Sequence, residues 1–175
     1  MVVQHKRGTM WRRAWVNSLD QFELRSFETW YPEHLRLIQN IGRGLITQAT
    51  NEWTDYEVST SITPHLCAAF GIVARVQGLR RGYALIMRRN GQAQLVKLLD
   101  QEVVLAETSF TWVFDQSLTL ALRVQGEQVS AFVDGQPLLT VRDDDQPLLT
   151  GGIGLLCETG RADAADVVII PVGKE

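Results

Sequence analysis

Two short segments carry the same polar pair, Ala74-Arg75-Val76-Gln77-Gly78 and Leu122-Arg123-Val124-Gln125-Gly126. Arginine and glutamine two residues apart project from one face of an extended strand. The opposite face would hold Ile72, Ala74 and Val76 in the first case and Leu120, Leu122 and Val124 in the second. Arg88, opposite Leu85 and Met87, extends such a surface with another guanidinium fork, a donor suited to sugar hydroxyls or phosphate. An ordinary solvated sheet face has the same pattern, because antiparallel sheets commonly leave one side in water. Lys97 shares its parity with Leu95 and Leu99, so it either snorkels at an edge or points at a ligand. Trp53 and Tyr83 flank loops and are the candidate stacking platforms. The candidate ligand-binding set is therefore Arg75, Gln77, Arg88, Lys97, Arg123, Gln125, Trp53 and Tyr83.

Catalytic patterns are sparse. His5, His34 and His65 have no His-Glu-x-x-His spacing, no Gly-x-Ser-x-Gly elbow occurs, and Gly78, Gly82 and Gly91 do not form a phosphate loop before a helix. A sandwich glycosidase would need two facing carboxylates, for which Glu57, Glu102 and Glu107 are the available groups. Asp143-Asp144-Asp145 could contribute oxygens to Ca²⁺ or could be a solvated turn. No cofactor is expected, with Ca²⁺ the one open alternative. Cys67 and Cys157 sit in apolar contexts without Cys-x-x-Cys spacing and read as buried small hydrophobes.

The elements that must position these groups are strands. Residues 71–78, 83–89, 92–99, 118–125 and 129–135 alternate with period two, and Asn90-Gly91 between two such runs is a strong hairpin signal. Further strands are expected at 56–62, 103–106, 138–141, 152–157 and 165–170, and 35–39 with 45–48 reads as a hairpin closed by Gly42-Arg43-Gly44. Tyr56, Val58, Thr60 and Ile62 would face the core and Glu57, Ser59 and Ser61 water. Roughly twelve strands with turn signals at short, regular spacing predict an all-β, antiparallel two-sheet jelly-roll sandwich.

A chain of 175 residues, 45% hydrophobic, can bury one core. Residues 1–18 are expected to be a lead-in that packs on the domain or links it to a preceding one, and residues 19–175 the sandwich. Trp11 and Trp15 in the lead-in could instead mark a protein interface. Net charge of -3 supplies no basic field for nucleic acid, and no apolar run suits a signal core or a membrane span. A cytoplasmic protein without nucleic-acid or membrane partners is expected.

The order Trp53-Thr-Asp-Tyr-Glu57, Gly71 to Gly78, Arg81-Gly-Tyr83, Val133-Asp-Gly135 and Gly151-Gly-Ile-Gly-Leu155 resembles concanavalin A-like lectin/glucanase jelly rolls of the laminin-G kind. More narrowly, Gln39 to Leu45, Glu52 to Tyr56 and Val76 to Arg81 resemble the C-terminal accessory domain of bacterial ADP-ribosylglycohydrolases. The resemblance implies a non-catalytic module for carbohydrate or ADP-ribose-like groups, fused to or associated with a hydrolase domain. A sandwich-fold glycoside-processing hydrolase and a structural protein-interaction domain are the alternatives.

Overall fold

The computed structural model describes residues 15–17, 23–25, 35–48, 50–78 and 80–173. Among them every regular element is a strand: β1 (Val16–Asn17), β2 (Glu23–Arg25), β3 (Leu35–Gln48), β4 (Tyr56–Gly78), β5 (Arg81–Arg88), β6 (Gln92–Leu99), β7 (Gln101–Ser109), β8 (Leu118–Gln125), β9 (Gln128–Val133), β10 (Gln136–Arg142), β11 (Gly152–Ala164) and β12 (Val168–Pro171). All pairings are antiparallel. The antiparallel jelly-roll sandwich expected from the alternating runs is the fold observed. No helix among the described residues is long and apolar enough to cross a membrane.

Long strands join the two layers. The first part of β4, Tyr56–Ile62, pairs with β8 on one side and β12 on the other. Its second part pairs with β11 and β5. One layer therefore runs β10-β9-β8-β4-β12, and the other runs β7-β6-β5-β4-β11-β3-β1. The turn between layers needs Gly160 in β11: its φ is +139°, and a Cβ there would lie 1.6 Å from the Leu66 carbonyl oxygen. Residues 35–48 form one bulged strand, where the sequence had suggested a hairpin. The bulge takes up Gly42 without reversing the chain, and Gly44 stays in the ladder opposite Cys157, so Gln39 pairs with Gly160 and Arg43 with Glu158.

Alternation then builds two apolar surfaces. The main core lies between the layers and contains Tyr56, Val58, Ile62, Phe70, Ile72, Leu85, Met87, Leu95, Leu120, Leu122 and Leu155. Trp15 belongs to it at 8% exposure, so it is not a surface anchor for a partner; Trp11 lies outside the described residues. Cys67 and Cys157 are free and buried there, as small hydrophobes. The second surface, Leu45, Ala69, Val73, Val76, Ala84, Ile86, Val96, Leu98 and Leu156, is the opposite face of the β3-β11-β4-β5-β6 layer. Val16 and Asn17 of the expected lead-in pair with Thr47 and Ile46 of β3; residues 18 and 19 lie outside the described set.

Candidate functional site

The outer face of the second layer carries charge beside its apolar floor. Arg43 on β3, Glu158 on β11 and Arg88 on β5 follow in register across Ala69 of β4. Glu102 and Glu107 come from β7, and Gln94 from β6. Arg43 Nε donates to Glu158 Oε1 at 2.6 Å, and its Nη1 meets Glu102 Oε2 at 2.6 Å. Arg88 Nη2 donates to Glu102 at 2.5 Å, its Nη1 lies 3.4 Å from Glu158, and its Nε donates to Gln94. Gln94 Nε2 donates to Glu107 at 2.9 Å.

These contacts require curvature. Arg43 and Glu102 sit on strands five spacings apart in the order β3-β11-β4-β5-β6-β7, which a flat sheet would separate by roughly 24 Å. An arginine and a glutamate together reach about half of that. The layer must therefore curl into a trough, with Arg43 and Glu102 meeting across it. A bulge in the β6–β7 pairing between Leu95 and Val96 contributes to the bend.

A cavity of about 580 Å³ opens in this trough, within the size range of ligand pockets. Its lining includes Gln39, Ile41, Arg43, Leu45, Arg80, Leu98, Asp100, Glu102 and Glu158. The charged side chains remain partly exposed: Arg43 22%, Glu102 28% and Glu158 18%. Burial lowers the pKa of Arg43, but Glu158 and Glu102 more than offset it, so the guanidinium is held above its ordinary value. Fixed donors and acceptors thus converge over Leu45 and Leu98.

Of the residues singled out from sequence, Arg88 lies in this array, with Leu85 and Met87 on the core side of its strand as expected. Arg75 does not. It is 0% exposed, with φ of +51° at a bulge between Ala74 and Gly78, and the bulge turns its side chain into the interior while sending Val76 to the outer face. The expectation of a solvated Arg75 assumed an unbroken period of two. Arg75 Nη1 donates to Gly126 O at 2.5 Å and Leu148 O at 2.6 Å, Nε to Thr54 O at 3.1 Å, and Nη2 pairs with Asp55 at 3.0 Å. Its backbone N–H is taken by Tyr56 Oη at 2.7 Å. Burial pushes the Arg75 pKa down, opposed by Asp55.

Tyr83 and Lys97 pair in register on β5 and β6 and are also interior, rather than a stacking platform and a ligand contact. Tyr83 Oη donates to Asp143 Oδ2 at 2.5 Å and accepts from Leu148 N–H at 2.9 Å. Lys97 Nζ lies 2.7 Å from the same Asp143 oxygen and donates to the Asp145 and Gln146 carbonyls. Asp143 is thereby buried among cationic and hydroxyl donors, while Asp144 pairs with exposed Arg142. Gln77 donates to Thr150 O at 2.8 Å. Arg75, Gln77, Tyr83 and Lys97 together hold the segment 143–151.

Arg123 and Gln125 lie on β8 in the other layer, so the two Arg-x-Gln pairs do not converge. Arg123 pairs with Glu57 at 2.7 Å and stacks over Phe132. Gln125 donates to Gly173 O at 3.4 Å. Trp53 is half-buried, edge-on to Tyr56 at 5.8 Å, beside a hollow of about 260 Å³ shared with Ile169 and Pro171.

Arg43, Gln39 and Glu158 were missed. Arg43 lay between two glycines read as a turn, and the β11 strand was ended at Cys157. Strand parity was the available signal: Glu158 stands two residues from Leu156, and Arg43 two from Leu45, both on the outer face.

No protein-family model matches the chain, and no curated protein matches it in sequence. Solved structures do match in fold. A carbohydrate-binding module, CBM66, from Bacillus subtilis superposes with a TM-score of 0.74 at 14% identity, over 89% of this chain and 94% of that one. A Bacillus subtilis protein with a galectin-like fold gives 0.71 at 14% identity, over 97% and 94%. The exoplasmic/lumenal domain of VIP36, in a form bound to Ca²⁺ and mannose, gives 0.68 at 13%, over 93% and 84%. At such identities the likeness establishes a lectin-like jelly-roll fold and leaves the ligand to the chemistry of the site.

Proposed function

We propose that this domain is a carbohydrate-binding module whose site is the trough of the β3-β11-β4-β5-β6-β7 layer. The observation that carries the reading is the convergence of Arg43, Glu102 and Glu158 beside an apolar floor in a cavity of sugar size, with Arg88 paired to both glutamates. A sugar ring has an apolar C–H face and a rim of hydroxyls that both donate and accept, and such a site offers a partner to each. The lining holds two arginines against three carboxylates. That balance favours a neutral polyol over the diphosphate of an ADP-ribose-like ligand. The accessory role beside an ADP-ribosylglycohydrolase-type domain belongs to the same proposal and is supported by the resemblance of residues 39–45, 52–56 and 76–81.

A glycan array followed by calorimetry tests the reading, with ADP-ribose as a competitor. The expected result is a glycan bound more tightly than millimolar, undisplaced by ADP-ribose, and lost in Arg43→Ala. Absence of any bound glycan, or binding indifferent to Arg43→Ala, overturns it.

One observation favours a second reading, glycoside hydrolysis: Glu102 and Glu158 share the Arg43 guanidinium, which brings two carboxylates together in a cavity. Both are engaged as acceptors, whereas hydrolysis needs one of them to present a proton to the leaving oxygen. Prolonged incubation with the bound oligosaccharide separates the two readings. Release of reducing ends that stops in Glu102→Gln would establish the enzyme.

A further inference from the structure

Trp53, which the trough does not use, stands at a second opening in the sandwich. Among the described residues β12 pairs only with β4, and Ile169 and Pro171, two residues apart, project from the same side of it. Ile169 reaches the core, whereas Pro171, opposite Tyr56 at the first position of β4, lies at the end of the strand and is exposed. Trp53 and Thr54, from the loop that leads into β4, complete a hollow of about 260 Å³ with Glu52, Asp55 and Tyr56. That volume falls just below the range of drug-sized pockets, so the hollow suits one ring rather than a chain.

The walls of this hollow are held in place. The Trp53 carbonyl accepts from the Gly151 N–H at 3.0 Å, and its indole packs against the core and stands edge-on to Tyr56. The Tyr56 hydroxyl in turn donates to the Gly152 carbonyl at 2.7 Å. Asp55 Oδ1 takes Arg75 Nη2 at 3.0 Å and the Gly126 N–H at 2.8 Å, which fixes the carboxylate and occupies that oxygen. Asp55 Oδ2 and the Trp53 indole N–H have no partner among the described residues, yet neither is sealed from solvent. Glu52 and Thr54 are exposed on the rim. The hollow therefore combines an aromatic wall, an aliphatic end at Pro171, one fixed carboxylate oxygen and one open N–H donor.

A sugar ring answers this whole set. Its C–H face lies on the indole, one hydroxyl donates to Asp55 Oδ2, and another accepts from the indole N–H. An alkylammonium would use the carboxylate and the ring face but has no acceptor for the N–H. An anion is repelled by Glu52 and Asp55. We infer that the Trp53 hollow is a second sugar-binding site, for a single neutral ring, separate from the trough. It shares the ligand class of the trough proposal and none of its residues, so each can fail without the other.

A proton–nitrogen NMR titration of the full chain tests this, with the methyl glycosides of glucose, galactose, mannose and xylose as ligands and n-butylammonium as the competing class. The Trp53 indole cross-peak is identified by its absence in Trp53→Phe. At least one glycoside should move that peak and the Thr54 and Gly151 amides along one saturating curve. Its dissociation constant should be of the order of millimolar, as one stacked ring and two hydrogen bonds allow. Trp53→Phe keeps an aromatic ring against the core but lacks the N–H, and binding followed at Thr54 should weaken by roughly three- to tenfold. Arg43→Ala should leave this constant unchanged while it removes the tighter binding in the trough. If no glycoside moves these resonances, or if Trp53→Phe binds as the unaltered protein does, the second site is overturned and the trough proposal still stands on its own test. A curve lost in Arg43→Ala would belong to the trough and overturns it equally. Tighter binding of n-butylammonium than of any glycoside at the same resonances overturns the sugar assignment in favour of a cation site.

Discussion

Two arginine-carboxylate networks lie on opposite faces of the same layer, and their hydrogen bonds end in different places. In the interior, Arg75 and Lys97 donate largely to main-chain carbonyls, of Thr54, Gly126 and Leu148 for the first and of Asp145 and Gln146 for the second. On the trough face, Arg43 and Arg88 donate to the side chains of Glu102, Glu158 and Gln94. Carbonyls of a packed backbone cannot be exchanged without moving the chain, so the interior network fixes loop 143–151. Carboxylates on half-exposed side chains can turn toward a ligand with little backbone change. The type of residue is the same in both; what the donors grip decides between structure and recognition.

The sharpest break of this comparison is Arg75→Ala. It strips partners from four groups and leaves Asp55 short of its cation in the interior. Removing one member of a buried charged network costs about 3–5 kcal/mol, and Lys97→Met should fall in the same range because it isolates Asp143. Urea unfolding monitored by tryptophan fluorescence would register either as a large drop in midpoint. A change below about 1 kcal/mol would mean that the interior network is as dispensable as a surface pair.

Arg43→Ala should do the reverse. Its pairs are half-exposed, so stability should change by no more than about 1 kcal/mol, while loss of a charge-assisted hydrogen bond should weaken sugar binding by roughly 10- to 100-fold. Calorimetry and urea unfolding on the same preparation give both numbers. Equal losses in both would merge the two networks into one structural unit.

How much of this was legible depends on whether alternation was interrupted. Tyr56 to Ile62, Tyr83 to Arg88 and Leu118 to Gln125 alternate without a break, and their core and outer faces fall where period two places them. The side of its strand on which Arg88 lies was legible for that reason. Arg75 was not, because one residue at positive φ inverts everything after it, and nothing in Ala-Arg-Val-Gln announces a bulge. Lys97 was given the correct parity, and its burial depended on Asp143, which lies 46 residues further along and comes close only through the fold. Gln39 and Arg43 were hidden by glycines that serve a bulge as readily as a turn.

The titrating groups extend the comparison to pH. Burial raises the Asp143 pKa, but hydrogen bonds from Lys97 and Tyr83 outweigh it and hold the carboxyl below the ordinary aspartate value of 3.8. A depressed folded pKa contributes stability that is present above the unfolded value and is lost as pH falls through the folded one. Burial, reinforced by the Asp143 hydrogen bond, raises the Tyr83 pKa above its ordinary value of 10.0, so that contribution is present below the unfolded value and lost as pH climbs through the folded one. Thermal melts across pH should therefore show a plateau with an acid and an alkaline shoulder. Buried Tyr56, its pKa also raised by burial, contributes to the same shoulder, so Tyr83→Phe should reduce it and Arg43→Ala should leave it in place. An alkaline limb unchanged in Tyr83→Phe would remove Tyr83 from the account.

The smallest expected effect belongs to the other layer, and it tests whether the trough is the recognition face at all. Arg123 and Glu57 form an ion pair at 2.7 Å on the solvated side of β8 and β4, with Arg123 45% exposed and its guanidinium 5.1 Å from the Phe132 ring. In water such a pair is worth about 0–1 kcal/mol, since screening and side-chain entropy offset most of the attraction. Arg123→Ala should shift the urea midpoint barely beyond error and leave glycan affinity unchanged, because its strand lies across the core from Arg43. Arg43 and Arg123 are both partly exposed arginines paired with glutamate, and they differ in curvature: one closes across a trough, the other lies on a face that offers a ligand no second wall. If Arg123→Ala weakened binding as much as Arg43→Ala, curvature would not be what makes an arginine pair a binding site here, and the ligand would have to be sought on the face of β8.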